Sequence, residues 1–437
     1  MPSWPLPSFP YMFPIFWGPL GSPFQLQVMV AFDSDPFAVA PVWTDITHDV
    51  QTIAIKRGRQ TELARMEAGT ATIRLKNRSG DYWPNNAGGP YYGKLLPGKA
   101  IQIRAAFTIP LPSFPYTFPI VWSRTFSYYL YTGFATGWPP TWLSQTGGQN
   151  PVVDIKCVDL IKNLSIMDIN VVAPGLPQER SSARVARVLD LLGWPTDARD
   201  IDSPSQVECI ESGEMEDEPA MAHLFTVQDT ELGLLYIRGD GHVVFEDQGH
   251  RLKPPHTVSQ AVFGDDVGEN FYSNLVPEYD DQFIYNDIRI TSSFPGATQQ
   301  VASDAASQAA YGKRTFAKAG LLMPTDNGAL AQALLKLRLY KQPLMRARSL
   351  KLNGARDPFR LWPKILGYDI STRITVRNNE AGIDEDYFIE AVSHKIDVQK
   401  WTWETSWQLS NADILFWALG VSGSSELGET TYLYHEF

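Results

Sequence analysis

The sequence predicts an α+β fold dominated by β-structure, with strand-rich ends around a mixed α/β middle. Three observations carry this expectation. Aromatic residues make up 12% of the 437 positions, with 13 Trp, and such residues favour strands over helices. Near both ends apolar residues recur at every second position, the period of an extended strand with one buried face. Helical periodicity is confined to stretches such as 181–195, 219–233 and 326–341. At this length the prior is about three domains. A chain that is 44% hydrophobic and 19% charged is not disordered as a whole.

Residues 1–25 form an aromatic, proline-broken arm. Its segment PLPSFPYMFPIFW (5–17) returns as PLPSFPYTFPIVW (110–122), identical at eleven of thirteen positions, while the flanks differ. The repeat is therefore of a segment and not of a domain. Phe9, Tyr11, Phe13, Ile15 and Trp17 fall on every second residue, as do Phe114, Tyr116, Phe118, Ile120 and Trp122, and Pro10, Pro14, Pro115 and Pro119 take the other parity. Backbone N–H groups also alternate between the edges of a strand, so the prolines strip donors from one edge only. Each copy is expected to be an edge strand whose aromatic comb docks on a neighbouring subunit's sheet. The candidate interface residues are Phe9, Tyr11, Phe13, Trp17, Phe114, Tyr116, Phe118 and Trp122. No Lys or Arg precedes Lys56, so the arm lacks the basic region of a secretion signal. No run is long enough to cross a bilayer, and no stable membrane insertion is expected.

Residues 26–150 are expected to form a first β-domain, with an insertion at 107–126. Its strands are LQVMVAF (26–32), with Val28, Val30 and Phe32 on one face, TIAIKRG (52–58), GTATIRLKN (69–77), KAIQIRAAF (99–107) and SYYLYTGFATGW (127–138). Short strands with Gly/Pro turns predict a small barrel or sandwich. Residues 151–274 are mixed. SSARVARVLDLLGWP is a helix with Ser181 or Ser182 as cap, Val185, Val188, Leu189 and Leu192 on one face, and Gly193 and Pro195 as terminators. PAMAHLFTVQDTELG is a second helix. LLYIRGDGHVVFED is a hairpin turning at Asp240–Gly241. Its Arg-Gly-Asp triplet is a turn signal before it is an adhesion motif. Residues 275–410 return to β-structure, with a helix at 326–341 capped by Asp326 and burying Leu330, Leu334 and Leu337. The strands DYFIEAVSHKID and WTWETSWQLS form a hairpin with Trp401, Trp403 and Trp407 on one parity. Residues 411–437 form a tail expected to need a partner to become ordered.

Catalytic patterns are missing. The seven histidines (48, 223, 242, 250, 256, 394 and 435) are scattered, and no HExxH, GxSxG or Walker pattern occurs. No catalytic, cofactor or metal residue is assigned, and no enzyme activity is expected. His394, in mid-strand, is a structural histidine. Asp265, Asp266, Glu269, Asp280 and Asp281 do not match a calcium loop and are expected to be solvated acidic turns. Cys157 and Cys209 share no metal-ligand spacing and are expected to be buried thiols. The net charge of −11 is uneven. Residues 197–231 hold eleven acids against Arg199, and 313–377 hold fourteen Lys and Arg against three Asp. Solvated faces are the simplest reading; nucleic-acid binding and attraction between subunits are the others.

Three stretches resemble minor tail proteins of long-tailed bacteriophages. IAIKRGRQTELARMEAGTATIRLKNRSGDYWPNN…GPYYGKLLPGKAIQIRA (53–105) carries Arg-Gly-Arg, a Gly-Thr-Ala strand, an Asn-x-x-Gly turn and a Pro-Gly before the next strand. HLFTVQDTELGLLYIRGDGHVVFED (223–247) carries a Glu-x-Gly turn before its hairpin, and 285–410 resembles the closing domain. The resemblance covers about 26–410 and implies a baseplate-hub fold: two small β-barrel domains, first and last, flanking mixed α/β middle domains. It also implies a homotrimer, whose six barrels match a sixfold tail tube. Its implied place is the tail tip of the virion, assembled in the host cytoplasm. Its implied partners are the tail tube or distal tail protein, tip or fibre proteins and the tape-measure protein, with DNA only in transit and no cofactor. The alternatives are a hexameric distal tail ring and a carbohydrate-binding or carbohydrate-cleaving tip protein.

Overall fold

In a computed structural model the described residues are 24–38, 40–110, 123–145, 148–279, 283–343 and 346–412. The front strands are β1 Phe24–Val30, β2 Thr44–Asp45, β3 Val50–Gly58, β4 Glu67–Lys76, β5 Ala100–Pro110, β6 Ser123–Gly137, β7 Pro140–Gln145 and β8 Gly148–Val158. Alternation dictates which face they bury. Ala71, Ile73 and Leu75 of β4 are buried while Thr70 and Thr72 are exposed. Val28, Val30 and Phe32 point into the same core, as their parity predicts.

The middle comprises α1 Leu160–Leu164, β9 Asp168–Val171, β10 Glu179–Arg180, α2 Ser181–Leu191, β11 Arg199–Ile201, β12 Glu208–Cys209, β13 Met215–Pro219, α3 Ala220–Glu231, β14 Leu234–Ile237 and β15 Val243–Glu246. Val185, Val188 and Leu189 of α2 pack with Leu224 and Val227 of α3 on the β14–β15 hairpin. The hairpin turns at the expected residues, with Gly241 N–H donating to Arg238 O and φ +95 at Gly241. The α2 cap differs from expectation. Arg180 holds the cap position without a side-chain capping bond, its guanidinium donating to Ser205 O. Ser181 donates instead to the buried Glu231 carboxylate at 2.6 Å, and Ser182 Oγ accepts from Ser205 N. Long-range polar partners have outcompeted local capping.

The rear contains β16 Val262–Phe263, β17 Asn274–Glu278, β18 Asp287–Ser292, β19 Gln300–Ser303, α4 Ala305–Tyr311, β20 Thr315–Leu321, α5 Asp326–Tyr340, β21 Arg346–Leu352, α6 Pro358–Gly367, β22 Arg373–Asn378, β23 Ile383–Asp397 and β24 Thr402–Asn411. Between β17 and β21, strands β18–β20 form a sheet of their own. Helix α5 covers that sheet in a small separate core. Thr325, not Asp326, caps α5, accepting from Gly328 N. Asp326 instead accepts from Thr298 N at 3.1 Å. Ala329, Gln332, Ala333 and Tyr340 are the buried residues of α5; Leu337 packs against this core as expected, whereas Leu334 is 39% exposed. Leucines lie on several faces of this helix, so periodicity alone did not select the face that meets the sheet.

Front and rear share one strand order. The front runs β3-β4-β8-β6-β5-β1 and the rear runs β17-β21-β24-β23-β22-β16. In each, five strands taken in chain order occupy the same places, and every pairing among those five is antiparallel. The sixth differs: β1 lies antiparallel to β5, whereas β16 lies parallel to β22.

The expected pair of separate barrels is corrected in one respect. β3 pairs with β23 across seven residues, setting Ile53 opposite Ile396 and Arg57 opposite Val392. Both blocks thereby join one continuous sheet over one apolar core. Among the described residues no sheet closes on itself. The physical reason is edge satisfaction: the outer edge of β3 and the second half of β23 would each carry unpaired backbone groups. Among the described residues no helix is long and apolar enough to cross a membrane.

Candidate functional site: free strand edges and a buried ionic junction

The shared strand order identifies equivalent edges. In the rear block β23 runs into β24 through a tight turn, and its second half pairs β24 on one side and β3 on the other. In the front block the equivalent strand is broken in two. β6 pairs with the end of β8, and β7 pairs with its beginning, from Pro140 opposite Val153 to Gln145 opposite Gly148. The other side of β7 has no strand partner among the described residues. The counterpart of β3 is β17, which among the described residues pairs only with β21. Thus the two strands equivalent to the β3–β23 joint both carry a free edge. Each also carries a proline, Pro140 and Pro277, as edge strands do. Beside β7 the rings of Trp83 and Trp142 meet edge to face at 6.1 Å, and they are 42% and 51% exposed.

The eight aromatic residues singled out in the sequence (Phe9, Tyr11, Phe13, Trp17, Phe114, Tyr116, Phe118 and Trp122) all lie outside the described residues. Their attachment points are described, however. Phe24 pairs opposite Phe107, and the β5–β6 hairpin stays in register out to Pro110 opposite Ser123. The described chain therefore begins β1 and ends β5 at the same end of adjacent strands.

Behind the edges sits a junction that sequence reasoning did not find. Glu390 of β23 is fully buried and accepts from Arg59 Nε, Arg251 Nη1 and Ser410 Oγ, each at 2.6 Å. These donors come from the front block, the middle and the rear. Burial alone would raise the Glu390 pKa; the Arg251 and Arg59 guanidiniums outweigh it and hold the carboxyl well below the usual range. Arg251 Nε also donates to Ser371 Oγ, which in turn donates to Glu246. Tyr236 OH donates to the other oxygen of Glu246 at 2.8 Å, and burial pushes the Glu246 pKa up. His250 contacts Asp202 at 2.7 Å, and its pKa is raised because its carboxylate partners outweigh burial. Nearby, Arg57 binds both oxygens of Asp369 and donates to the Leu130 and Ile237 carbonyls.

The motifs behind the resemblance serve this junction. Arg57 and Arg59 are the arginines of Arg-Gly-Arg, and Gly58 between them has φ +99. A Cβ there would lie 2.2 Å from Glu390 O. In Glu-x-Gly, the buried Glu231 accepts from the backbone of Gln206, Val207 and Gln248, while a Cβ on Gly233 would lie 2.4 Å from Glu246 O. Any β-domain contains arginines and glycines, so only the pairing partners could have revealed the purpose of these, and for Arg57, Gly58 and Arg59 the partners Asp369 and Glu390 lie over 300 residues away.

Asp280 and Asp281 lie outside the described residues, and the other remaining candidates resolve as structure. His394 Nδ1 accepts from Trp403 Nε1 at 3.2 Å and contacts Thr405 Oγ1, and burial lowers its pKa to about 3. Asp265 and Asp266 accept from Asn379, and Glu269 pairs with Arg377. Among the described residues no cluster of His, Cys, Asp and Glu suits a metal. Cys157 and Cys209 are buried thiols in different cores. Arg238 of the Arg-Gly-Asp turn is held by Asp240 and Asp200, and Thr132 Oγ1 donates to Gly239 O, so the turn is packed against β6. The acidic and basic stretches meet within one chain, where Asp229 bridges Arg65 and Lys318.

No protein-family model and no curated protein sequence matches the chain. Solved structures do. The chain is similar to the tail protein from Neisseria meningitidis MC58 at TM-score 0.55 and 12% identity, covering 88% of this chain and 96% of that one. It is similar to the 43 kDa tail protein of prophage MuSo2 from Shewanella oneidensis at TM-score 0.53 and 12% identity, covering 89% and 99%. With nearly the whole length of each chain aligned, the protein has the fold of these phage tail proteins.

Proposed function

We propose that the protein is a non-enzymatic structural component of a phage tail, and that it assembles as a trimeric hub joining a sixfold tail tube to the tip. One observation carries the reading: the chain contains the same five-strand arrangement twice and joins the two copies through β3 and β23. Repeating that joint between chains requires the free edge of β17 to meet the free edge of β7 on the next subunit. The contact is heterologous, so its rotation either closes a ring or propagates a filament. Two blocks per chain make six places in a ring of three, alternating an internal joint with an external one. Trp83 and Trp142 are the aromatic anchors of the external joint. The aromatic arm and the 111–122 segment add strands at one end of the front block, on the same neighbour. The opening at the centre passes DNA and the tape-measure protein.

Mass photometry of the purified chain with symmetry-resolved negative-stain imaging tests this. A trimer with six peripheral lobes is expected. A hexamer favours the distal-ring alternative and rejects the hub; a stable monomer rejects both.

A further inference from the structure

A cleft of about 550 Å³ opens where front, middle and rear meet. Its apolar walls include Leu63, Leu232, Phe316, Leu335, Leu339 and Phe388. Three lining residues carry a buried polar atom with no hydrogen-bond partner among the described residues: Gln332 Oε1, Gln248 Oε1 and Arg251 Nη2. Gln332 is 1% exposed, and its Nε2 already donates to Asp229 O, so the atom left over is an acceptor. Buried polar atoms are rarely left this way, and each costs about 1–3 kcal/mol. The lining charges balance, Arg59, Arg65, Arg251, Lys318 and Lys336 against Glu62, Asp229, Glu246, Asp247 and Glu390, so no net charge draws an anion in, and two orphan acceptors against one orphan donor do not suit one. They suit a peptide backbone, which offers N–H and C=O together, carrying apolar side chains.

Ser410, Asn411 and Ala412 form part of the cleft wall, and Ala412 N is anchored to Asp386 O at 2.8 Å. The next residues are Asp413-Ile414-Leu415-Phe416-Trp417-Ala418-Leu419, six of seven of them apolar, and none is proline. We propose that this segment of the same chain seats in the cleft, its backbone N–H groups donating to Gln332 and Gln248 and a carbonyl accepting from Arg251. At about 3.3 Å per residue, Trp417 is within about 17 Å of Ala412, far enough to cross a cleft of this size. Tethering holds the segment at an effective concentration of about millimolar, which favours the chain's own segment over a neighbour's. The N-terminal arm is the poorer occupant, because its prolines withhold donors and it starts from β1, in the front block. The docked tail ties the β24 end to α5 and β20, independently of how subunits meet.

Two experiments test this. The chain lacking 413–437 is titrated with a labelled synthetic peptide of residues 412–421. Saturable binding is expected, with the full chain binding at least tenfold more weakly and L335D/L339D abolishing binding. No binding to the truncated chain, or equal binding by the full chain, overturns the proposal. Should the truncation not fold, full-length L339C/F416C is treated with a short bismaleimide, Cys157 and Cys209 being buried. A link within one polypeptide is expected. A link between polypeptides, or none, overturns the proposal.

Discussion

Trp142→Ala at the β7 edge is the sharpest test of the proposed ring. Trp142 is 51% exposed and Trp83 is 42% exposed. A buried Trp removes about 250 Å² from water at most. Docking therefore has roughly half of that, about 125 Å², left to cover on Trp142. At about 25 cal/mol per Å² this is worth about 3 kcal/mol per external joint. Residual contact by the new Ala and imperfect desolvation reduce it to about 2 kcal/mol. In a closed trimer each subunit sits in two external joints, so removing one breaks both. The loss is then about 4 kcal/mol, close to a thousandfold in the dissociation constant. The subunit itself should be little affected, because β7 is an edge strand and the residue is half in solvent already. Mass photometry over a dilution series reads the oligomer, and urea unfolding monitored by circular dichroism reads the subunit. A trimer that persists to the same dilution as the unsubstituted chain refutes the placement of the external joint. So does a loss of assembly fully accounted for by subunit unfolding.

Other outcomes follow from the same geometry. Deleting residues 1–18 should weaken the trimer while leaving the urea midpoint of the subunit unchanged; unchanged assembly counts against the interface role of the arm. Glu390→Gln leaves Arg59 and Arg251 buried without their anion, and should cost about 3–5 kcal/mol in urea unfolding; a loss under about 1 kcal/mol would show the junction to be dispensable. Gly58→Ala meets Glu390 O at 2.2 Å with φ +99, so at least about 2–3 kcal/mol of stability should go. On acidification, burial holds His394 and His223 down to about 3 and about 4. Their folded pKa values lie below the unfolded value of about 6.5, so the unfolded chain binds protons first. Stability should fall from about pH 6.5 toward pH 4, by up to about 1.4 kcal/mol per pH unit for each group. His250, with a raised pKa, works in the opposite direction. His394→Gln should flatten the profile, and an unchanged slope would deny His394 its part.

Much of this fold is legible in the sequence because local alternation and turn chemistry agree with tertiary burial. Ala71, Ile73 and Leu75, the Asp240–Gly241 turn and the β23–β24 hairpin are all where period and turn residues place them. The failures have physical causes. Ser181 and Asp326 are good caps by residue type, yet each has a stronger partner elsewhere, Glu231 for one and Thr298 for the other. The α5 leucines mislead because two surfaces compete for that helix: the β18–β19 sheet takes Ala329 and Ala333, and the cleft takes Leu335 and Leu339. The β3–β23 joint is invisible beforehand, since strands pair through backbone groups that every residue shares. Glu390 is hidden for a related reason. Among 48 acidic residues, nothing local marks the one that two distant arginines, Arg59 and Arg251, will meet.

The two joints of the proposed ring face different demands, and their residues differ accordingly. The internal joint forms while the chain folds and never has to survive alone in water. It can therefore be apolar and continuous, and it sets Ile53 against Ile396 with both buried. The external edges are exposed on every free subunit, where a long apolar edge would pair indiscriminately. β17 is short, interrupted by Pro277, and carries Glu278 in an ion pair with Arg348. β7 opens on Pro140 and carries Trp142, whose ring meets that of Trp83. Fewer donors and a single anchor weaken pairing in shifted registers more than pairing in the intended one. Such an edge closes a ring when a second contact aligns it, and in the proposed ring the aromatic segments that precede Phe24 and follow Pro110 supply that contact. On this argument the repeated PLPSFPY segment sets alignment and Trp142 sets affinity. Loss of the arm should therefore slow ring closure more than it speeds dissociation, and loss of Trp142 should do the reverse. Stopped-flow light scattering on the two variants separates these outcomes, and identical kinetic signatures would remove the division of labour.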